Sequence, residues 1–514
     1  MGLRLPTLSQ DSHQGVSHNT IGVIQVPARQ MDLLLLAKGR RPTTKKRQRM
    51  AWKKTAPPAA RLSLDGLLDH YLVLLLFLTL VCLSLPSPGR AQLIGVLGLL
   101  LCTAGLSHGE VKVDLWFLVP LIAYQIFCIL SCFMNWHIIS AGAAGGFLAA
   151  QALYTAAYLL IARLDSGERL WLRRLCVLWA GCVSSVGVVQ FLLRALSGRA
   201  ARLGGVFGAP NALGIFLVIS WFALETCVQE ESGSLAWLVR LEPLLLTALA
   251  LTLSMGSFVS MAAGILFLAL WQLRHSSWRQ ALAFTCNLLA RASFGVGLGV
   301  LMYVAARRSG QPWLCLLLTL YLLAVIFFWD RFRSFLADFP WAAAGMTVLG
   351  VLVAGGAILI RPSAVSTFLE RLAMMENGVG YLTVRPLWGL GYLQWRAWNL
   401  YDSDIYFNTY HIHNVILHIG VEFGIPAMVM AGAAGLRRVW KKTAPSSTAG
   451  FTAFALHSLI DTSFFFEGIP AVTLMTAAEP QAGGKQLPAL VTRLLFGALA
   501  LVFLATLAGS LGYL

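Results

Sequence analysis

From residue 68 onward the chain is written in apolar runs separated by short polar connections. At 1.5 Å per helical residue, a hydrocarbon core of ~30 Å takes about 20 residues to cross. Runs of that order fall at about 68–86, 91–107, 113–134, 138–162, 174–196, 209–228, 237–254, 256–273, 286–306, 312–329, 340–360, 411–434, 447–463 and 487–512, with a shorter one at 468–478. The pattern predicts an all-α, polytopic transmembrane helix bundle of about 12–15 helices. One long stretch departs from it, and its position sets the domain organisation. Residues 1–66 read as a disordered basic arm, 67–360 as an N-terminal bundle, 361–410 as a large polar and aromatic loop, and 411–514 as C-terminal transmembrane helices.

Composition excludes a soluble globule. Hydrophobic residues make up 58% and charged residues 12% of the 514, about half the charged share of soluble domains, and the mean hydropathy is +0.72. The net charge of +17 is uneven, because residues 1–66 hold twelve Lys and Arg against three Asp. Beside a membrane span, such an arm fits cytoplasmic retention and attraction to anionic membrane lipids. No nucleic-acid partner is expected. The nine cysteines all precede residue 316 and nearly all lie within apolar runs, with no CxxC pair. They indicate neither a disulfide framework nor a thiolate metal site.

Orientation follows from the basic residues in the connections. With the arm in the cytoplasm, Arg163–Arg174, Arg274–Arg279, Asp330–Arg333 and Arg437–Lys442 are inner connections, and residues 361–410 lie outside. Three outer segments break the charge rule, around Arg194–Arg202, Arg307–Arg308 and Arg361–Arg396. Basic groups on that side call for an anionic partner.

The candidate chemistry gathers in the same segments. The 361–424 region carries Arg371, the Pro386–Gly391 turn with Trp388 and Gly391, Trp395, Trp398, Asp402, Asp404, and His411-Ile412-His413-Asn414. Arg202 and Arg371 suit phosphate oxygens, since a guanidinium fork binds them bidentately and keeps its proton. The alternative for each is snorkelling to lipid headgroups. His413 suits an acceptor hydroxyl, because imidazole takes up a proton near neutral pH. A structural histidine is the second reading. A metal pair with Asp402 or Asp404 is the third, although spacing fixes no further ligand. Glu422, nine residues on, should face away from His413, and it can pair with His418 at i, i+4. His457 and Asp461, also i, i+4, read as a mutually neutralising pair that fixes helix packing. Arg291 has no evident partner. Gly142, Gly145 and Gly146 fit close helix packing in lipid.

Four stretches carry a resemblance. Arg202-Leu203-Gly204-Gly205-Val206-Phe207-Gly208-Ala209-Pro210-Asn211-Ala212-Leu213-Gly214, Leu251-Thr252-Leu253-Ser254-Met255-Gly256, Glu370-Arg371-Leu372 with Pro386-Leu387-Trp388-Gly389-Leu390-Gly391, and His413-Asn414 followed after nine residues by Gly424 are similar to the signatures of the O-antigen ligase and O-antigen polymerase superfamily. The similarity runs from about residue 70 onward. Met255 stands where that family has Arg, and Ala427 where its ligases prefer Gly, Thr or Tyr.

The resemblance implies a GT-C-like bundle in the bacterial cytoplasmic (inner) membrane, with the arm inside and a catalytic loop outside. It implies a metal-independent glycosyltransferase without cofactor, taking a glycan from a polyprenyl (undecaprenyl) diphosphate donor to the hydroxyl of a glycan or lipid-linked acceptor. Carried onto this chain, Arg202, Arg371 and His413 are the expected catalytic residues. Asn211, Asn414, His411, Trp388, Gly391 and Trp395 are the expected substrate contacts. Whether the acceptor makes this a ligase or a polymerase stays open. A transporter or flippase for a lipid-linked anion is the alternative class, against which stands the lack of a visible inverted repeat.

Overall fold

In hydrocarbon a helix meets the needs of every backbone N–H and C=O within one segment, and most of the length of the apolar runs is helical. The computed structural model describes residues 70–512 apart from 108, 231–235, 308–310, 361–362, 403–406, 408, 441–443 and 478–483. The basic arm, Asp404 and the Asp402 side chain therefore lie outside the described residues.

The first helices are α1 (Tyr71–Ser84), α2 (Arg90–Leu106), α3 (Leu115–Met134), α4 (Ala141–Ile161), α5 (Ser166–Leu196) and α6 (Pro210–Glu230). Then follow α7 (Glu242–Thr252), α8 (Met255–His275), α9 (Trp278–Arg307), α10 (Trp313–Asp338) and α11 (Pro340–Ile360). The remainder are α12 (Ser363–Leu382), α13 (Gln394–Asp402), α14 (Val415–Phe423), α15 (Ile425–Trp440), α16 (Pro445–Ser458), α17 (Gly468–Ala477) and α18 (Ala489–Ser510). A two-stranded antiparallel ribbon pairs β1 (Val111–Val113) with β2 (Lys485–Leu487), Val111 opposite Leu487. The fold is an all-α bundle of membrane character.

Among the described residues, eight helices are long and apolar enough to cross a membrane: α3 to α6, α8 to α10, and α18. This is fewer than the predicted spans, and for two of the runs the difference has a physical origin. Helix α7 has 11 residues and α17 has 10, or about 15–17 Å at 1.5 Å per residue. Both are buried along nearly their whole length. Hydropathy alone does not tell a lipid-facing run from one walled in by protein.

The predicted single run at 411–434 is two helices. Leu390 N donates to Val421 O (2.8 Å), Gly391 N to Glu422 O (2.9 Å), and Ile425 N to Pro386 O (2.8 Å). The Pro386–Gly391 turn is thus inserted into the α14–α15 junction. Gly389 (φ 66°) and Gly424 (φ 93°) sit in conformations open to glycine. A Cβ on Gly389 would strike the Glu422 carbonyl, and one on Gly424 the Leu387 carbonyl. The segment expected as an open loop is itself largely helical, in α12 and α13.

Close helix approach occurs elsewhere than expected. Gly142 and Gly145 have nothing near the position of a side chain, and Gly146 meets Ala91 at ordinary van der Waals distance. Gly95, Gly98 and Gly105 on α2 instead accept Leu507, Phe503 and Phe496 of α18. Those bulky side chains occupy the groove that the missing Cβ atoms leave.

Arg291 also finds its partners. Its Nη1 meets Glu225 Oε1 at 2.6 Å and also Glu242 Oε1, while Nε donates to Asn287 (3.0 Å). Arg333 Nη1 bridges the same carboxylates at 3.3 and 2.9 Å, and the indoles of Trp221 and Trp329 donate to Glu242 at 3.0 and 2.9 Å. Two guanidiniums face two carboxylates, joining α6, α7, α9 and α10 with no net charge. Arg291→Met leaves a buried carboxylate short of a cation, a loss of about 3–5 kcal/mol for a broken buried pair. A markedly lower unfolding temperature in detergent, partly recovered by adding Glu242→Gln, is the expected result.

Candidate functional site

Four chain segments far apart in sequence meet at Asp461. Arg202 lies between α5 and the 3-10 turn Gly205–Phe207. It is held there by two hydrogen bonds: Nε donates to Thr252 O (2.8 Å), an otherwise open carbonyl at the end of α7, and Nη2 to Asn211 Oδ1 (3.0 Å). Asn211, in the first turn of α6, donates through Nδ2 to Asp461 Oδ2 (2.7 Å). From α12, Arg371 donates through Nη2 to the same oxygen (3.0 Å) and through Nη1 to Ile460 O (2.6 Å). His413 Nδ1 faces Asp461 Oδ2 at 3.8 Å, an ion-pair distance too long for a direct hydrogen bond.

The other oxygen, Asp461 Oδ1, accepts from the backbone N (3.1 Å) and Oγ (2.6 Å) of Ser463. That local turn is possible because α16 ends at Ser458. Asp461 stands beyond the helix end, so the expected i, i+4 pair with His457 makes no direct hydrogen bond, and the two interact only through charge at longer range. His457 Nε2 lies 3.3 Å from Ser257 Oγ instead. Burial pushes the Asp461 carboxyl up, but His413, His457, Arg371 and Ser463 outweigh it and hold the group below the usual carboxylate range. Asp461 is thus a fixed anion, 2% exposed. Arg371 Nε is buried without a hydrogen-bond partner.

The other expected contacts lie apart from this cluster. Asn414 caps α14, accepting from Leu417 N (3.0 Å). His411 stacks on Phe465 (ring centroids 4.0 Å apart) and meets His418 Nε2 through Nδ1 (3.0 Å). Burial, His418 and His413 together hold it well below the usual imidazole range. The Trp388 carbonyl accepts from Ser131, and Gly391 belongs to the inserted turn. Trp395 is fully buried in a core with Leu390, Ile412, Leu417 and Val421. These residues build the platform that carries His413.

No family model, curated protein or solved structure matches the chain. Its function is therefore argued from geometry. Beside the cluster runs an apolar groove of about 410 Å³ between α3, α14, α15 and α16, lined by Tyr124, Val415, Ile419, Gly435, Leu459 and Phe464 among others. Leu459 and Phe464 flank the Asp461 turn, and Val415 follows Asn414 directly. Two lining positions thus lie within three residues of Asp461 in the chain, and one lies two residues from His413. Among the described residues, no group of three or more His, Cys, Asp or Glu side chains is placed to hold a metal ion.

The sequence singled out Arg202, Asn211, Arg371 and His413, and the structure brings all four together. It did not single out Asp461 as the common partner of Asn211, Arg371 and His413, or Ser463 as its support. A signal was present: an ionisable residue inside an apolar run, two residues before a serine able to close a turn.

Proposed function

We propose that this chain transfers a glycan from a polyprenyl diphosphate donor to an acceptor hydroxyl at the outer face of the cytoplasmic membrane, as an O-antigen ligase-like or polymerase-like glycosyltransferase. One observation carries the proposal: Arg371, His413 and, through Asn211, Arg202 come from separate segments to one buried aspartate, and the chain on either side of that aspartate lines an apolar groove. The groove suits a polyprenyl chain, and the arginines suit the diphosphate.

In this reading Asp461 turns the His413 ring so that Nδ1 faces the carboxylate and Nε2 is the basic atom. Nε2 takes the proton from the acceptor hydroxyl as that oxygen bonds to the anomeric carbon. The bond from that carbon to the diphosphate oxygen breaks, and polyprenyl diphosphate departs with the electron pair. Arg371 and Arg202 stabilise the charge that develops on the leaving oxygens.

The test uses purified protein in lipid nanodiscs with a labelled glycan on polyprenyl diphosphate and separate glycan and lipid-linked acceptors. Product carrying the label, with stoichiometric release of polyprenyl diphosphate, is expected. Movement of intact labelled lipid across a vesicle bilayer without product would overturn it in favour of a transporter. Sidedness is read in a Cys-free background. Tyr401→Cys, at a position 87% exposed on α13, should react with an impermeant thiol reagent in intact cells. Ser277→Cys, between α8 and α9, should react only after permeabilisation.

A further inference from the structure

The residue that touches the reacting atoms in this reading, His413, sits on a short strand of chain rather than on a helix, and something must hold that strand. A second histidine does so from behind. His418 is fully buried on the first turns of α14, as is Glu422 one turn on, with 3.3 Å between His418 Nε2 and Glu422 Oε2. The pairing expected at this spacing is therefore present, but its reach extends further than packing. His418 Nδ1 accepts from the backbone N of Ile412 (3.4 Å), and Nε2 lies 3.0 Å from His411 Nδ1. Both residues preceding His413 are gripped by one ring. On the other side, Asn414 caps α14.

The direction of these bonds is set by the chain. A backbone N–H can only donate, so His418 Nδ1 is the acceptor and the ring proton is on Nε2. From there it reaches His411 Nδ1, with the Glu422 carboxyl on the same side. The His411 ring in turn stacks on Phe465, and Phe465 also receives the edge of His418 (centroids 5.2 Å apart). Phe465 belongs to the turn Ser463–Phe465, whose first residue holds Asp461 Oδ1. One continuous set of contacts therefore runs from Glu422 through His418 and His411 to the turn that fixes Asp461.

We infer that His418, supported by Glu422, is a positioning residue that sets the distance between His413 and Asp461. The inference rests on the proposed transfer reaction for its kinetic consequence, and on geometry alone for its structural one. Misplacement of a reacting group by about 1 Å costs on the order of 10²-fold in rate. His418→Phe keeps the ring volume and loses both nitrogens. His418→Asn keeps an acceptor where Nδ1 stands. Glu422→Gln keeps the shape and loses the charge.

The experiment compares these three variants and Asp461→Asn with wild type in nanodiscs for kcat and KM of glycan transfer, unfolding temperature, and the carbethoxylation rate of His413 by diethyl pyrocarbonate, read by mass spectrometry. His418→Phe should lower kcat by about 10²-fold with donor KM within about twofold of wild type, because the arginines are untouched. His418→Asn should recover at least half of that loss on a logarithmic scale. His413 should be carbethoxylated at the same altered rate in His418→Phe as in Asp461→Asn, since both release the ring. Wild-type kcat in His418→Phe, or wild-type carbethoxylation of His413 in all three variants, overturns the inference. So does a fall in kcat matched by an equal rise in KM and a loss of folding in His418→Asn and Glu422→Gln alike. If wild type transfers no glycan, the transfer reading fails by itself, and the carbethoxylation rates alone decide the positioning role.

Discussion

Arg371→Ala should lower glycan transfer by on the order of 10²–10³-fold, the usual loss when one donor to a developing negative charge is removed. Arg371→Lys should fall between that variant and wild type. The guanidinium already spends two groups on the protein, through Nη1 to Ile460 O (2.6 Å) and Nη2 to Asp461 (3.0 Å), while Nε is buried and unpartnered. A planar fork can hold the Asp461 turn while Nη1 and Nη2 each keep a second N–H for a phosphate oxygen. Lysine has one ammonium centre and cannot span both positions from one rotamer. The substitution also withdraws a cation from Asp461, so unfolding temperature and donor binding are measured beside the rate. Normal folding with weak donor binding and slow transfer is the expected set. Transfer at the wild-type rate by Arg371→Ala would make Arg371 a strut for the Asp461 turn and remove it from the donor site.

How much of this was legible follows from where each signal sits in the chain. Helix limits came within a few residues for most runs, because a lipid-spanning helix writes its length directly into the hydropathy. The break at Gly424 was not legible in that way. It depends on a turn some 35 residues upstream sliding its Leu387 carbonyl against a position that has no Cβ. Apolar residues continue on both sides, so nothing in the local composition marks it.

The charged residues divide along the same line. Arg291 lies 66 residues from Glu225 and 49 from Glu242, and neither spacing follows from any helical period. The His457 and Asp461 spacing did carry a helical period, and it misled. The period holds only while the helix continues, and α16 stops at Ser458. Trp388 and Trp395 are expected as substrate contacts only on the strength of the resemblance. The structure buries Trp395 at the centre of the α12–α14 platform. Arg202, Asn211, Arg371 and His413 come from three separate segments, and no local pattern in the chain contains their convergence.

His413→Ala should reduce transfer by about 10²–10⁴-fold, the range for loss of a working general acid or base, with donor binding close to wild type. The separation of the two effects comes from the geometry. Arg202 is held by Thr252 O and Asn211, and Arg371 by Ile460 O and Asp461, so neither arginine depends on the imidazole. Asp461→Asn is a harsher test of the same idea. It keeps the shape of the side chain, but it removes the anion that faces His413 Nδ1 at 3.8 Å. It also sets an amide against the Nδ2 of Asn211, which must then rotate or lose its 2.7 Å bond. Its rate should fall at least as far as that of His413→Ala, and the double variant should be little slower than the worse single one, because residues that act as a unit are not additive. Each protein is assayed with and without EDTA. Guanidinium groups can neutralise a departing diphosphate by themselves, so the wild-type rate should survive chelation. Activity lost on chelation and restored by Mg²⁺ or Mn²⁺ would favour a metal-dependent route with Asp402 or Asp404 as ligand. A His413→Ala protein as fast as wild type would leave the imidazole a packing residue, with the acceptor proton passing to some other base.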